Sequence, residues 1–222
     1  MQIDHLVWAT ADVGADAERL GAALGVPPVA GGRHAGLGTA NHLLGLGAGS
    51  AGAPCYLELI HPDPAAEGAS DLARTLGALV DSGLYHWAVR AADLDAIDAR
   101  ARGAGLGSTG PIDFQRARPD GVLLRWRLLF LTGHPFGGLL PFFIDWMDAE
   151  HPGESLAFGV ELQGFWICSP ESGSLAQAME AVGIEVDVRA GEAASLSAQI
   201  VGPAGALELT TATPFGRGLA PA

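Results

Sequence analysis

The sequence predicts an α+β chain built from repeated βαβββ modules, two of them paired into curved mixed sheets and a third, degenerate one following. Three observations predict it. Two apolar strand-like runs each carry a histidine that precedes a helix-capping aspartate by seven residues, His5 before Asp12 and His86 before Asp93. Each capped helix is followed by three extended stretches separated by turns rich in Gly, Pro and Asp. The last stretch of each unit sets one acid among apolar neighbours, in Tyr56-Leu57-Glu58-Leu59-Ile60 and in Phe143-Ile144-Asp145-Trp146-Met147.

The elements follow in order. The first module, 3–62, opens with a strand at 3–9 and a helix at 13–24, with strands at 29–34, 39–46 and 55–61. Asp12 caps its helix, because a carboxylate there accepts from the unpaired N–H groups of the first turn, and Gly25 stops it. A linker carrying one helix, 72–80, leads to the second module, 83–148. That module repeats the pattern: strand 83–90, Asp93, helix 94–104, Gly105, then strands 112–118, 122–131 and 141–147. The two modules form one domain over 1–148, and 149–155 is a second linker. The third module, 161–211, has a strand at 164–168, a helix from Ser172 to about 182, and strands at 184–189, 196–201 and 206–210. It has no histidine matching His5, so a structural role is expected, and 212–222 reads as a tail. The glycine-rich stretch 45–52 reads as a hairpin loop.

Composition narrows the function. The chain has 222 residues and a net charge of −13, with scattered arginines and no basic stripe. Nucleic acid and anionic membrane surfaces are therefore poor partners. No apolar run approaches the ~18 residues of a membrane helix, and the N-terminus has no basic-then-apolar leader, so a cytoplasmic protein is expected. Cys55 and Cys168 sit in strand-like runs and read as reduced core thiols. A Walker loop, a dinucleotide fingerprint and a Gly-x-Ser-x-Gly elbow are all missing from the sequence.

Because side chains alternate across a strand, His5, Glu58, His86 and Asp145 could converge on one concave face. Two imidazoles and two carboxylates suit a divalent cation such as Zn, Mn, Fe, Ni or Co, with positions open for substrate. The same carboxylates could instead pair with Arg33, Arg125 or Arg127, which satisfies their charge without metal. Arg33 and His34 follow two glycines that permit a bend, and Thr39 and Asn41 share one strand face. Arg125 and Arg127 share a face, with Trp126 on the other. These seven residues are the candidate substrate contacts, with Glu58 as the proton-moving group.

The motif Asp4-His5-Leu6-Val7, the capping aspartates and the matching Glu58 and Asp145 resemble the vicinal oxygen chelate superfamily. More narrowly, several motifs resemble its glyoxalase-like branch over roughly residues 3–152. They are Gly31-Gly32-Arg33-His34, Gly38-Thr39-Ala40-Asn41, Tyr56-Leu57-Glu58-Leu59-Ile60, Pro119-Asp120-Gly121 with Arg125-Trp126-Arg127, and Pro141-Phe142-Phe143-Ile144-Asp145-Trp146 with His151-Pro152. The resemblance implies a cup of paired modules and a metal on the first and last strands of each. Asp145 departs from the superfamily's usual glutamate by one carbon. The expected function is a metal-dependent lyase or isomerase of glyoxalase type, or a dioxygenase, acting on a small oxygen-bearing molecule. The rival is a metal-free binding protein whose cup is lined by Trp8, Trp87, Trp126 and Trp146 together with arginine. Because such modules work in pairs, an odd third copy either covers the cup or packs against a second subunit in a homodimer.

Overall fold

The computed structural model describes residues 2–34, 36–48, 54–66, 68, 70–117 and 123–213. The Pro119-Asp120-Gly121 motif, residues 49–52 of the expected 45–52 loop and the residues from 214 onward lie outside them, whereas 45–48 continue a strand rather than forming the loop. The first module comprises β1 (Gln2–Ala9), α1 (Val13–Leu24), β2 (Val29–His34), β3 (Thr39–Ala48) and β4 (Pro54–Pro62). After α2 (Asp71–Gly77), the second comprises β5 (Gly83–Arg90), α3 (Leu94–Gly103), the short β6 (Gly107–Ser108), β7 (Ile112–Ala117), β8 (Leu123–Thr132) and β9 (Phe142–Asp145). The third comprises β10 (Glu161–Ser169), α4 (Ser172–Ala181), β11 (Asp187–Ala190), β12 (Ser195–Gly202) and β13 (Gly205–Leu209).

The expected caps form. Asp12 accepts from the N–H of Ala15 at 3.0 Å, and Asp93 from that of Ala96 at 2.9 Å. Gly25 ends α1 at φ 80°, a left-handed conformation that costs a residue with a Cβ.

The first two modules share one sheet, ordered β2-β3-β4-β1-β5-β9-β8, with β6 and β7 both pairing with β8. In each module the first strand runs parallel to the last, β1 with β4 and β5 with β9. The antiparallel β1–β5 ladder joins the halves, so both histidine-bearing strands stand at the centre. The two faces have different fates. Leu6 and Trp8 point toward Leu20 and Leu24 of α1, in a core that also holds Trp87, Ile97 and Phe143. Val7, Ala9, Ile60, Phe142 and Ile144 point the other way, where Leu72 and Leu76 of α2 cover them.

The third module repeats the element order but not the strand order. Its sheet runs β11-β10-β12-β13, with β10 parallel to β11 and antiparallel to β12. The strand after α4 returns directly beside β10, and β12 takes β10's other edge. This module neither covers the concave face nor stands apart. Ile167, Leu175, Met179, Leu196 and Ile200 belong to the same core as Leu6 and Trp87, and the Phe165 ring lies 5.1 Å from that of Trp87. Part of the expected tail is also ordered against the sheet. Along β5, β9 reaches Ala88–Arg90, and the start of β5 is met instead by residues 210–213, with the N–H of Leu84 donating to Thr210 O at 2.7 Å. No helix among the described residues is long and apolar enough to cross a membrane.

Candidate active site

On the face opposite α1, the first module assembles a buried polar chain. The β1–β5 ladder slips between Ile3 and His5, which breaks strict alternation and lets Asp4 and His5 engage one another. Asp4 is fully buried. The Nδ1–H of His5 donates to Asp4 Oδ1 at 2.7 Å, while Arg90 Nε and Trp146 Nε1 each donate to Oδ2 at 3.0 Å. Nε2 of His151 stands 3.2 Å from the same oxygen, close enough for attraction but not aligned as a hydrogen bond. Burial works against the Asp4 charge, yet His151 and His5 hold the carboxyl well below the usual carboxylate range.

An ionised carboxylate on Nδ1 fixes the tautomer of a neutral His5 and leaves the lone pair on Nε2. That nitrogen lies 3.6 Å from Glu58 Oε2. Tyr56, opposite His5 on β4, stacks on its ring at 4.7 Å, and Phe142 meets it edge-on at 5.4 Å. Glu58, two residues further along β4 and 8% exposed, accepts from Asn41 Nδ2 at 2.5 Å. Asn41 cannot turn its amide round, because its Oδ1 accepts the N–H of Gly32 at 2.7 Å. His34 completes the chain, with Nδ1 2.9 Å from Thr39 Oγ1 and Nε2 3.7 Å from Glu58 Oε1. The 149–155 linker contributes as well, since His151 meets both Tyr56 and Trp146 edge-on.

The other expected ligands stand elsewhere. Nε2–H of His86 donates to the carbonyl of Leu140 at 2.8 Å, and burial pushes the ring's pKa down to about 3. Asp145 shares its strand face with Phe143, toward α3 rather than the concave side. There Arg127 Nη2 donates to its Oδ2 at 2.6 Å, and the N–H of Met147, itself at φ 50°, donates to Oδ1 at 2.8 Å. Pairing registers explain the displacement. Val7 lies opposite Glu58, and Ala88, its counterpart when His86 is matched to His5, lies opposite Phe142. An apolar ring thus occupies the second module's counterpart of the Glu58 position. Among the described residues no three His, Cys, Asp or Glu side chains stand close enough together to hold a metal ion. His5 and Glu58 offer two donors, and the remaining two expected ligands are engaged apart from them, so the four-donor site does not fit this arrangement.

Of the expected substrate contacts, His34, Thr39 and Asn41 join Glu58. Arg33 points outward to Asp63 at 2.6 Å. Arg125 is exposed, and Arg127 lies on the Asp145 side of the sheet. Trp126 faces the concave side, 5.8 Å from Trp146, whereas Trp8 and Trp87 belong to the main core. Sequence reasoning did not assign Asp4, Arg90 or Tyr56 to the site. The available signal was Asp4-His5, two polar residues in succession within an otherwise apolar strand. A cavity of about 260 Å³ bordered by Gly45, Gly47, Pro54, Leu156 and Phe158 includes none of these polar site residues.

Residues 3–183 match the family model described as a glyoxalase-like domain. The chain belongs to the glyoxalase-like domain family. No curated protein matches this glyoxalase-like chain. A solved structure of a hypothetical protein from Staphylococcus aureus is similar in fold, with a TM-score of 0.61 and 13% identity over 93% of this chain and 84% of that one. A structure of methylmalonyl-CoA epimerase in complex with methylmalonyl-CoA and NH4+ is 25% identical, with a TM-score of 0.50, over 68% of this chain and 98% of that one.

Proposed function

We propose that this glyoxalase-like protein is a lyase or isomerase that moves a proton on a small oxygen-bearing substrate, with Glu58 as the base. The observation that carries this reading is the Asp4–His5–Glu58 chain, in which a carboxylate buried at 0% exposure orients an imidazole whose other nitrogen faces a second buried carboxylate at 3.6 Å. Glu58 takes a proton from carbon beside a carbonyl and returns it to the same or a neighbouring atom. Asn41 fixes the direction of its Oε1, which leaves Oε2 toward His5 and the substrate. Once Glu58 has taken the proton, its carboxyl O–H can donate to the lone pair on His5 Nε2, which holds that proton beside the substrate until it is returned. The step needs no metal, in keeping with the donor set. The methylmalonyl-CoA epimerase with a similar fold supports an isomerase assignment. The net charge of −13 argues for a small substrate rather than a polyanionic thioester carrier.

Proton exchange tests this directly. The protein is incubated in D2O with a panel of small 2-oxo, 2-hydroxy and 1,3-dicarbonyl acids, and the α-proton NMR signal is followed. The wild type exchanges at least one of them, and Glu58→Gln slows that exchange about 100-fold or more, the usual contribution of a positioned base. Exchange by Glu58→Gln at the wild-type rate would remove Glu58 from the reaction.

A further inference from the structure

A second cluster lies across the sheet from Glu58. His42 on β3 and His61 on β4 share the face of Leu44, Leu57 and Leu59, the one turned toward the main core. His42 pairs across the ladder with Leu59 and His61 with Ala40, so the two histidines form a diagonal pair within side-chain reach. Their ring centres are 5.5 Å apart and their planes tilt by 53°. Nδ1 of His61 donates to the carbonyl of Pro62 at 2.8 Å, which fixes the neutral tautomer and leaves the lone pair on Nε2. That Nε2 is buried with no hydrogen-bond partner, in a residue only 9% exposed. Nδ1 of His42 is likewise buried without a hydrogen-bond partner. Neither orphan has a role in the proton chain described above.

Two unsatisfied imidazole nitrogens on adjacent strands carry a cost that a ligand would remove. A ligating histidine typically donates its other ring N–H to a backbone carbonyl, as His61 does to Pro62. The ring separation is compatible with a shared cation. A metal bound to imidazole at about 2.1 Å sits roughly 3.2 Å from the ring centre, so rings at the observed separation subtend an angle of about 115–120° at the ion. That lies near the tetrahedral and trigonal values. Asp63, the nearest carboxylate along the chain, is held by Arg33 and is not counted as a donor.

We propose that His42 and His61 form a two-imidazole binding site for a borderline transition-metal cation, Zn2+, Ni2+ or Cu2+, with water completing its coordination. Imidazole pairs select these ions over Mg2+ and Ca2+, which take oxygen ligands. The site is separate from Glu58 and stands on two paired strands, so binding braces the β3–β4 ladder.

The test uses the full chain, untagged and stripped of metal, titrated with ZnCl2 against a chromophoric chelator. His42→Gln, His61→Gln and a His5→Gln, Glu58→Gln double variant are measured beside the wild type. One equivalent of Zn2+ binds to the wild type, each of the two single variants binds at least tenfold more weakly, and the double variant binds like the wild type. No Zn2+, Ni2+ or Cu2+ uptake by the folded wild type overturns the proposal and leaves a bridging water as the occupant. So does uptake that survives both single substitutions, or that is lost in the double variant. If a single variant fails to fold, histidine ring NMR of the wild type decides: Zn2+ shifts the His42 and His61 signals, and a response confined to other rings refutes the site.

Discussion

Asp4 is met by His5, Arg90, Trp146 and His151, and it drew no attention of its own in the sequence. His5, Glu58, His34, Thr39 and Asn41 were legible because alternation along β1, β3 and β4 sends them to one face. Asp4 was not, because a ladder slip that re-aims it leaves no mark in a period-two pattern. Asp145 was misplaced for a related reason. Matching the two final strands by their lone acid shifts the alignment by three residues, from Phe142 to Asp145, and only the pairing register with β5 reveals it. His86 gives a test at this scale. Burial lowers its proton affinity in the folded state to about 3, so the unfolded chain takes up the proton first as pH falls. The associated stability is complete above the unfolded value of about 6.5 and is lost progressively below it, by up to about 1.4 kcal/mol per pH unit. Asp4, whose proton affinity is also lowered in the fold, contributes with the same sign, but its contribution fades only below about pH 4, its unfolded value. Urea denaturation between pH 6.5 and 4 therefore shows stability falling with pH. His86→Gln keeps a donor for Leu140 and flattens that slope, leaving the contributions of His42 and His134, which burial also lowers. An unchanged slope would mean that His86 does not carry the dependence.

Among elements, the helices were the most legible, because Asp12 and Asp93 write their starts and Gly25 writes one stop in the chain itself. Strand order in the third module was not legible. A strand-helix-strand-strand-strand sequence is compatible with more than one pairing, and nothing local distinguishes β11 beside β10 from β13 beside β10. The β12–β13 turn shows how that module is held. Gly202 packs so tightly on the end of α1 that a Cβ would fall 2.2 Å from the Leu24 carbonyl oxygen, and the N–H of Ala204 donates to that same oxygen at 3.1 Å. Gly202→Ala forces the turn off the helix. The expected cost is about 2 kcal/mol, seen by calorimetry as a fall of roughly 4–8 °C in Tm for a chain of this length. A Tm within a degree of the wild type would show that the turn yields without loosening the contact.

For the molecule as a whole, the paired-module sheet follows from the repeat in the sequence, whereas the destination of the third module does not. Apolar stretches such as Ile167 and the Leu196–Ile200 region announce burial without naming a partner. The partner is the α1 face of the large sheet, where Trp87 and Leu46 would otherwise meet water. A chain ending at residue 158 thus exposes a broad apolar surface, and we expect it to lack a cooperative unfolding transition and to self-associate in light scattering. A cooperative, monomeric fragment would show that the paired modules stand alone. The arrangement also divides the sheet by face. One side is committed to the core and carries the His42–His61 pair at its margin, and the other holds Glu58 and its partners. In the proposed reaction, proton transfer at Glu58 runs on side chains alone. The most direct measurement is the α-proton exchange rate of untagged protein before and after exhaustive chelation, with residual metal quantified by mass spectrometry. The same rate is expected in both samples. A rate that collapses on chelation and returns with a divalent cation would contradict it.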